Sequence, residues 1–172
     1  MSARFSRPKA YCFMRDEGDH IKEVFAHFGL ALYLAQCLEH GIVNALLRLD
    51  LPSAARIRTG DDPPRTRDEA YEIFDTYQAE QFEKTMGNLI KQLQTVAPLP
   101  DHVVTTIINS KKRRDLLAHR FFRERAAEFV TFDGRDAMLE ELMRDQRLFE
   151  EADAALSAHL EQQGSSIRKI TN

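Results

Sequence analysis

The chain has few of the residues that tight turns, disulfides and metal clusters require. Seven glycines and six prolines are spread over 172 residues, and none of the long segments alternates polar and apolar residues as strands do. The two cysteines, Cys12 and Cys37, form no CxxC pair, and the six histidines form no HExxH motif or Cys/His cluster. We therefore expect an all-α fold without structural metal, and no cofactor.

Motifs for nucleotide binding and for hydrolase nucleophiles are also missing. The sequence contains no GxGxxG, no P-loop and no GxSxG. With no signal peptide and no long apolar run, it predicts a cytoplasmic protein with reduced thiols. The net charge of −3 argues against bulk electrostatic binding to nucleic acid, so any such binding must depend on local basic patches.

Hydrophobic periodicity predicts the layout of the chain, which at 172 residues fits one domain. Four helices are expected at 20–49, 66–97, 101–130 and 134–163. A basic arm of residues 1–19 precedes them, a polar loop of residues 50–65 joins the first two, and a tail of residues 165–172 follows. The arginines of the loop either grip a phosphate backbone or offset the nearby aspartates. Four long helices with short connections predict an antiparallel four-helix bundle.

The predicted helix 101–130 carries the side chains of greatest chemical interest. A helical wheel groups its apolar residues on one broad face: Val103, Val104, Ile107, Ile108, Ala118, Phe121, Phe122, Ala126 and Phe129. Arg114 falls within this face, and His119 lies at its edge. A guanidinium keeps its proton, so a buried Arg114 must be paired or must line a polar cleft. Asp115 precedes His119 by one turn, where its carboxylate can orient the imidazole.

The predicted helix 20–49 is apolar on nearly all sides, which indicates a central helix or a subunit interface. Glu39 is the exception, because it falls on the main apolar face. A buried carboxylate needs a buried cation, and Arg114 is the candidate partner, either within one chain or across a dimer. We expect Glu39→Ala to cost about 3 to 5 kcal/mol if it leaves Arg114 buried and unpaired.

The segment from Arg113 to Phe122 contains the sequence RRDLLAHRFF. Its Arg114-Asp115-Leu116-Leu117-Ala118-His119 portion resembles the Arg-polar-x-x-x-His motif of the HEPN superfamily, in particular the versions written RNxLAHxF. Residues 20–49 and 82–87 also look like parts of proteins that carry this motif, but no role follows for them. Arg113 offers a second frame with a longer spacer. We prefer Arg114, because Arg113 is expected to point away from the interior.

The resemblance implies a metal-independent endoribonuclease, of the kind found among toxins and defence effectors, in which two protomers place both motifs in one cleft. His119 would assist proton transfer during attack of the RNA 2′-hydroxyl, Arg114 would stabilise the developing charge, and Asp115 would orient His119. Flanking cations would attract the RNA strand, and they are Lys111, Lys112, Arg113, Arg120 and Arg123. A neutralising antitoxin or other protein partner would be encoded elsewhere.

A second hypothesis assigns the same residues to structure. Arg114, Glu39 and His119 would then form a buried polar network in a non-catalytic module that dimerises or binds a protein partner. The apolar character of residues 20–49 fits this module as well as it fits a core. The two hypotheses differ at His119, which the enzyme needs for activity and the module needs for stability.

Overall fold

A computed structural model describes residues 16–60 and 64–170, with side chains described through residue 162. Every regular element in these ranges is a helix, so the predicted all-α fold is confirmed. The helices are α1 (Glu17–Leu49), α2 (Leu51–Thr59), α3 (Arg67–Phe82), α4 (Met86–Val96), α5 (Asp101–His119), α6 (Phe121–Glu124), α7 (Ala126–Phe129) and α8 (Phe132–Ile170). Most of the predicted arm, residues 1–15, lies outside the described residues, as do residues 61–63 and 171–172.

The longest two helices, α1 and α8, share the most extensive packing in the molecule and run in the same direction. This direction follows from their contacts, since His20 lies beside Asp136, His27 beside Gln146, and Gly41 beside Asp153. α5 runs antiparallel to both. The core fills the space between α1, α4, α5 and α8, and its largest fully buried side chains include Leu38, Ile42, Leu46, Leu93, Leu142 and Phe149.

The predicted helix 66–97 is wrong as a single element. It starts as expected, with Thr66 capping α3 in a capping box with Glu69. The chain then turns back after Phe82, and Thr85 caps α4 by accepting a hydrogen bond from the backbone N–H of Asn88. α3 and α4 therefore form a hairpin rather than one bent rod. This extra reversal brings α8 parallel to α1, whereas an antiparallel four-helix order would set the first and last helices in opposite directions.

The predicted loop 50–65 is also partly wrong, because residues 51–59 form α2. Pro52 lies in its first turn, where proline is tolerated because the missing N–H would be unpaired there anyway. Arg58 pairs with Glu80 of α3, so one of the loop arginines offsets a carboxylate.

The predicted helix 101–130 begins at Asp101 but does not continue unbroken to residue 130. The backbone leaves the helical conformation at Arg120 and again at Arg125. These breaks let Phe121, Phe122 and Phe129 converge on α1. Phe122 lies 4.8 Å from the ring of Phe28 and 5.3 Å from that of Phe25, measured between centroids. Aromatic packing in three dimensions thus overrides a local sequence that contains no helix breaker.

The last helix is longer than predicted at both ends. Thr131 caps it, since its hydroxyl accepts a hydrogen bond from the N–H of Gly134. Gly134 has no room for a side chain, because an added Cβ would lie 2.2 Å from the carbonyl oxygen of Glu128. The helix passes through Gly164 and reaches Ile170, so the predicted tail from residue 165 is helical as far as the structure describes it.

α1 is buried along one side and exposed along the other. By length and composition alone it would suffice to cross a membrane, a test that the core helix of a soluble protein also passes. Its inner side packs against α8, α4 and α5. On its outer side Phe25, Leu30 and Tyr33 are 50%, 45% and 61% exposed. The predicted role of this helix as a core element is therefore confirmed, and its role as a subunit interface stays a prediction.

Candidate active site

A cleft of about 530 Å³ lies between one side of α5 and the start of α4. It is lined by Thr85, Met86, Gly87, Lys111, Arg114, Asp115, His119 and Arg120. The α5 residues meet there because positions spaced by three, four or eight residues share a helix face. The structure thus brings the whole Arg114, Asp115 and His119 set to one cavity, together with two of the five cations expected to bind substrate.

Arg114 reaches across to α1. Its Nη2 lies 3.4 Å from Oε2 of Glu39, and its Nη1 lies 3.4 Å from Oδ1 of Asp115. The expected contact between Arg114 and Glu39 is therefore present within a single chain. Both contacts are long for a charge-assisted hydrogen bond, and the Arg114 side chain is 31% exposed. The guanidinium thus keeps N–H donors that can turn towards a ligand.

Asp115 does not orient His119 in this structure. Its Oδ2 accepts a hydrogen bond of 2.5 Å from Nζ of Lys111, and its other oxygen faces Arg114. Burial alone would raise the pKa of the Asp115 carboxyl, but the hydrogen bond and charge of Lys111 and the charge of Arg114 outweigh it and hold the pKa below its usual value. Asp115 is therefore an ionised carboxylate that positions two cations.

His119 is the last residue of α5, and its side chain is exposed to solvent at the cleft. Arg120 follows at the helix break and pairs with Glu124 at 3.4 Å, with half of its own side chain exposed. The buried positions of α5 are Val103, Ile107, Ser110 and Leu117. Ala118, expected in the core, is exposed, so the inner face is rotated towards Leu117.

Arg113 does not point away from the interior as predicted but contacts α8, and it is not among the residues that line the cleft. Its Nε and Nη2 donate to Asp145 at 2.6 and 2.7 Å, and Nη2 also donates to Glu141 at 2.7 Å. Asp145 is only 5% exposed. Arg125 binds the same Glu141 at 2.9 and 3.0 Å. Arg113 therefore fastens α5 to α8 through its Nε and Nη2 donors.

The other two cations that were expected to contact substrate lie outside the cleft. Lys112 and Arg123 are exposed but are not among the lining residues. The cleft-lining cations are Lys111, Arg114 and Arg120, and the carboxylates that lie within 3.4 Å of them are Asp115, Glu39 and Glu124. Three cations thus meet at one cleft, each close to a carboxylate, in a chain whose net charge is −3.

The start of α4 is a part of the cleft that sequence reasoning missed. Gly87 lets the Lys111 side chain pass close by, since an added Cβ would lie 3.0 Å from Cε of Lys111. The signal was present in the sequence, because a threonine followed closely by glycine is typical of a helix start and of a close approach. Among the described residues, no group of three or more His, Cys, Asp or Glu side chains is arranged to hold a metal ion.

Comparison of the chain with protein-family models, with curated proteins and with solved structures gives no match.

Proposed function

We propose that the chain is an endoribonuclease of HEPN type that cleaves RNA without a metal ion. The observation that carries the proposal is the convergence of Arg114, Lys111, Arg120 and His119 on one cleft. A phosphodiester is an anion, and guanidinium and ammonium groups in a cleft attract and orient it. RNA is chosen as the substrate because Arg114, Asp115 and His119 form the Arg-polar-x-x-x-His motif.

The reaction that this arrangement supports is an internal phosphoryl transfer. The 2′-oxygen of a ribose forms a bond to the adjacent phosphorus, and the bond from phosphorus to the 5′-oxygen of the next nucleotide breaks. His119 assists by taking the proton of the 2′-hydroxyl, and a proton is returned to the leaving 5′-oxygen. Arg114 stabilises the negative charge that builds on the phosphate oxygens. The products are a 2′,3′-cyclic phosphate and a free 5′-hydroxyl.

The proposal includes a homodimer formed through the outer side of α1. Phe25, Leu30 and Tyr33 leave an apolar strip exposed, and Gln36 and His40 continue it to the groove beside Arg114. A second copy on this strip would bury it and bring two clefts close together. α1, α4, α5 and α8 would then be the helices of a HEPN-like bundle. Light scattering that gives a monomer at micromolar concentration would remove this part of the proposal.

In the cell, the enzyme would act in the cytoplasm as a toxin or defence effector, with a protein partner that holds it inactive. Such a partner would cover the same strip on α1 that the homodimer uses, in competition with the second copy.

The test is cleavage of total RNA in EDTA by the wild-type chain and by His119→Ala, purified identically. We expect the wild type to cleave and the variant to lose about 10²- to 10⁴-fold in rate, the usual contribution of a general acid or base. Thermal unfolding should not change, because His119 is exposed. His102→Ala is the matched control, since it removes an exposed histidine from the other end of the same helix. Equal cleavage by both variants, or cleavage that EDTA abolishes, would contradict the proposal.

The alternative is a non-catalytic helical module that binds a protein partner, and the exposed apolar strip of α1 favours it. It requires His119→Ala to alter stability rather than activity. The same pair of variants therefore decides between the two functions.

A further inference from the structure

A second groove adjoins the candidate active site. It has a volume of about 450 Å³ and is lined by Gln36, Glu39, His40, Phe82, Lys84, Thr85, Leu89 and Arg114. Thr85 and Arg114 line both cavities. The two cavities therefore meet at the guanidinium proposed to hold the scissile phosphate, and a strand of RNA bound there would continue from one into the other.

The groove offers an aromatic ring to solvent. Phe82 is the last residue of α3, and its side chain is 49% exposed. The ring of His40 meets it at a centroid distance of 5.0 Å in an edge-to-face arrangement, which supports the phenyl ring from one side. An exposed ring beside a phosphate-binding cation is the usual platform on which a nucleobase stacks.

Lys84 adds a positive charge to the groove, and among the described residues it forms no ion pair with Glu39 or any other carboxylate. Its Nζ donates to Oε1 of Gln81 at 2.9 Å and to Oε1 of Gln92 at 2.7 Å, and both of these oxygens belong to neutral amides. Gln81 is itself buried. The ammonium is thus held in place at the groove while its charge stays available to a phosphate.

We propose that this groove is a base-binding subsite for single-stranded RNA, in which the base next to the phosphate held by Arg114 stacks on Phe82. The proposal rests on the proposed ribonuclease function and names its substrate class. Single-stranded RNA fits because its bases can be splayed out to stack, whereas the bases of a duplex are already stacked and paired. Lys84 would contact the phosphate on the far side of that base.

Binding is measured by fluorescence anisotropy of a labelled ten-nucleotide single-stranded RNA of mixed sequence on His119→Ala protein, so that the probe is not cut. Adding Phe82→Ala should weaken binding about five- to thirtyfold, the loss of roughly one stacked base. The salt dependence of binding should not change, since no charge is removed. Phe82→Tyr should bind within about twofold of its parent, and Phe82→Leu should resemble Phe82→Ala, because only a ring can stack.

Tyr71→Ala is the matched control. Tyr71 lies on the same helix and is 50% exposed, but the Arg67 guanidinium covers its ring at 5.2 Å from the centroid. This variant should bind RNA like its parent.

The subsite is refuted if Phe82→Ala binds RNA as tightly as its parent, if Phe82→Leu matches Phe82→Tyr, or if the parent binds no RNA. The comparison of Phe82→Leu with Phe82→Tyr holds even if the alanine variant does not fold. A separate result would refute only the ribonuclease proposal. In that case RNA binding depends on Phe82, but the wild-type protein does not cleave the RNA.

Discussion

Arg113 and Arg114 are neighbours in the sequence, and their guanidinium groups lie in opposite surroundings. Arg113 faces α8, where Asp145 and Glu141 accept its hydrogen bonds at 2.6 to 2.7 Å. Arg114 faces α1 and the cleft, where its two carboxylate contacts are both 3.4 Å long. Residue type and local sequence do not separate the two. Close carboxylates hold Nε and Nη2 of Arg113, whereas the longer contacts of Arg114 leave its donors less tightly held.

The surroundings of the two arginines differ because α5 contacts different helices on its two sides. α5 packs against α8 on one side and against α1 and α4 on the other. Consecutive residues on a helix point about 100° apart, so Arg113 and Arg114 emerge on opposite flanks of the buried face. One flank meets a pair of carboxylates, and the other meets a cavity.

The largest effect on stability is expected at Arg113. Arg113→Met should lower the free energy of unfolding by about 2 to 3 kcal/mol, because Asp145 loses its cationic partner. The loss is somewhat smaller than for a fully buried ion pair, because the site is partly open to solvent. Chemical denaturation at neutral pH measures this loss. A change below about 0.5 kcal/mol would show that the network adds nothing to stability.

The same loss should depend on pH. Burial raises the pKa of Glu141, but the hydrogen bonds from Arg125 and Arg113 outweigh it and hold the pKa below its ordinary value of 4.5. A carboxyl with a lowered pKa in the folded state stabilises the fold above 4.5 and loses this contribution as the pH falls through its folded pKa. The stability difference between wild type and Arg113→Met should therefore shrink in acid. A difference that grows below that pH would contradict the assignment.

A smaller effect is expected at Glu39, on the Arg114 side. The sequence alone predicted a cost of about 3 to 5 kcal/mol for Glu39→Ala, on the assumption that Arg114 is buried. With Arg114 31% exposed and also facing Asp115, Glu39→Ala should cost about 1 kcal/mol or less. Denaturant titration checks this value. A loss above about 3 kcal/mol would show that Arg114 is enclosed in solution, as a dimer across the α1 strip would enclose it.

The sequence predicted those features that a residue pattern within a single helix determines. The all-α fold and the contact between Glu39 and Arg114 followed from helical periodicity, because a lone carboxylate on an apolar face needs a cation. The start of α3 was also a local signal, because Thr66 and Glu69 form a capping box within one helical turn. The turn before Thr85 carried a weaker signal, which was missed. A proline at the start of α2 was likewise a helix signal hidden in a polar stretch.

Other features had no local signal. The break at Arg120 arises because Phe121 and Phe122 pack with the aromatic residues of α1, which lie far away in the sequence. The partners of Arg113 are 28 and 32 residues further along the chain. No pattern within α5 distinguishes an arginine that meets these carboxylates from one that meets a cavity. Both features depend on tertiary packing.

The most direct test of whether the cleft beside Arg114 is the active site compares RNA cleavage by Arg114→Met and Arg113→Met in EDTA. Each variant is assayed at the same concentration of folded protein. We expect the rate of RNA cleavage to fall on the order of 10²- to 10³-fold in Arg114→Met, because this variant lacks a group that stabilises charge in the transition state. Arg113→Met should stay within about threefold of the wild type once its lower stability is allowed for. Equal losses in the two variants, or a greater loss in Arg113→Met, would contradict the assignment of the cleft beside Arg114 as the active site.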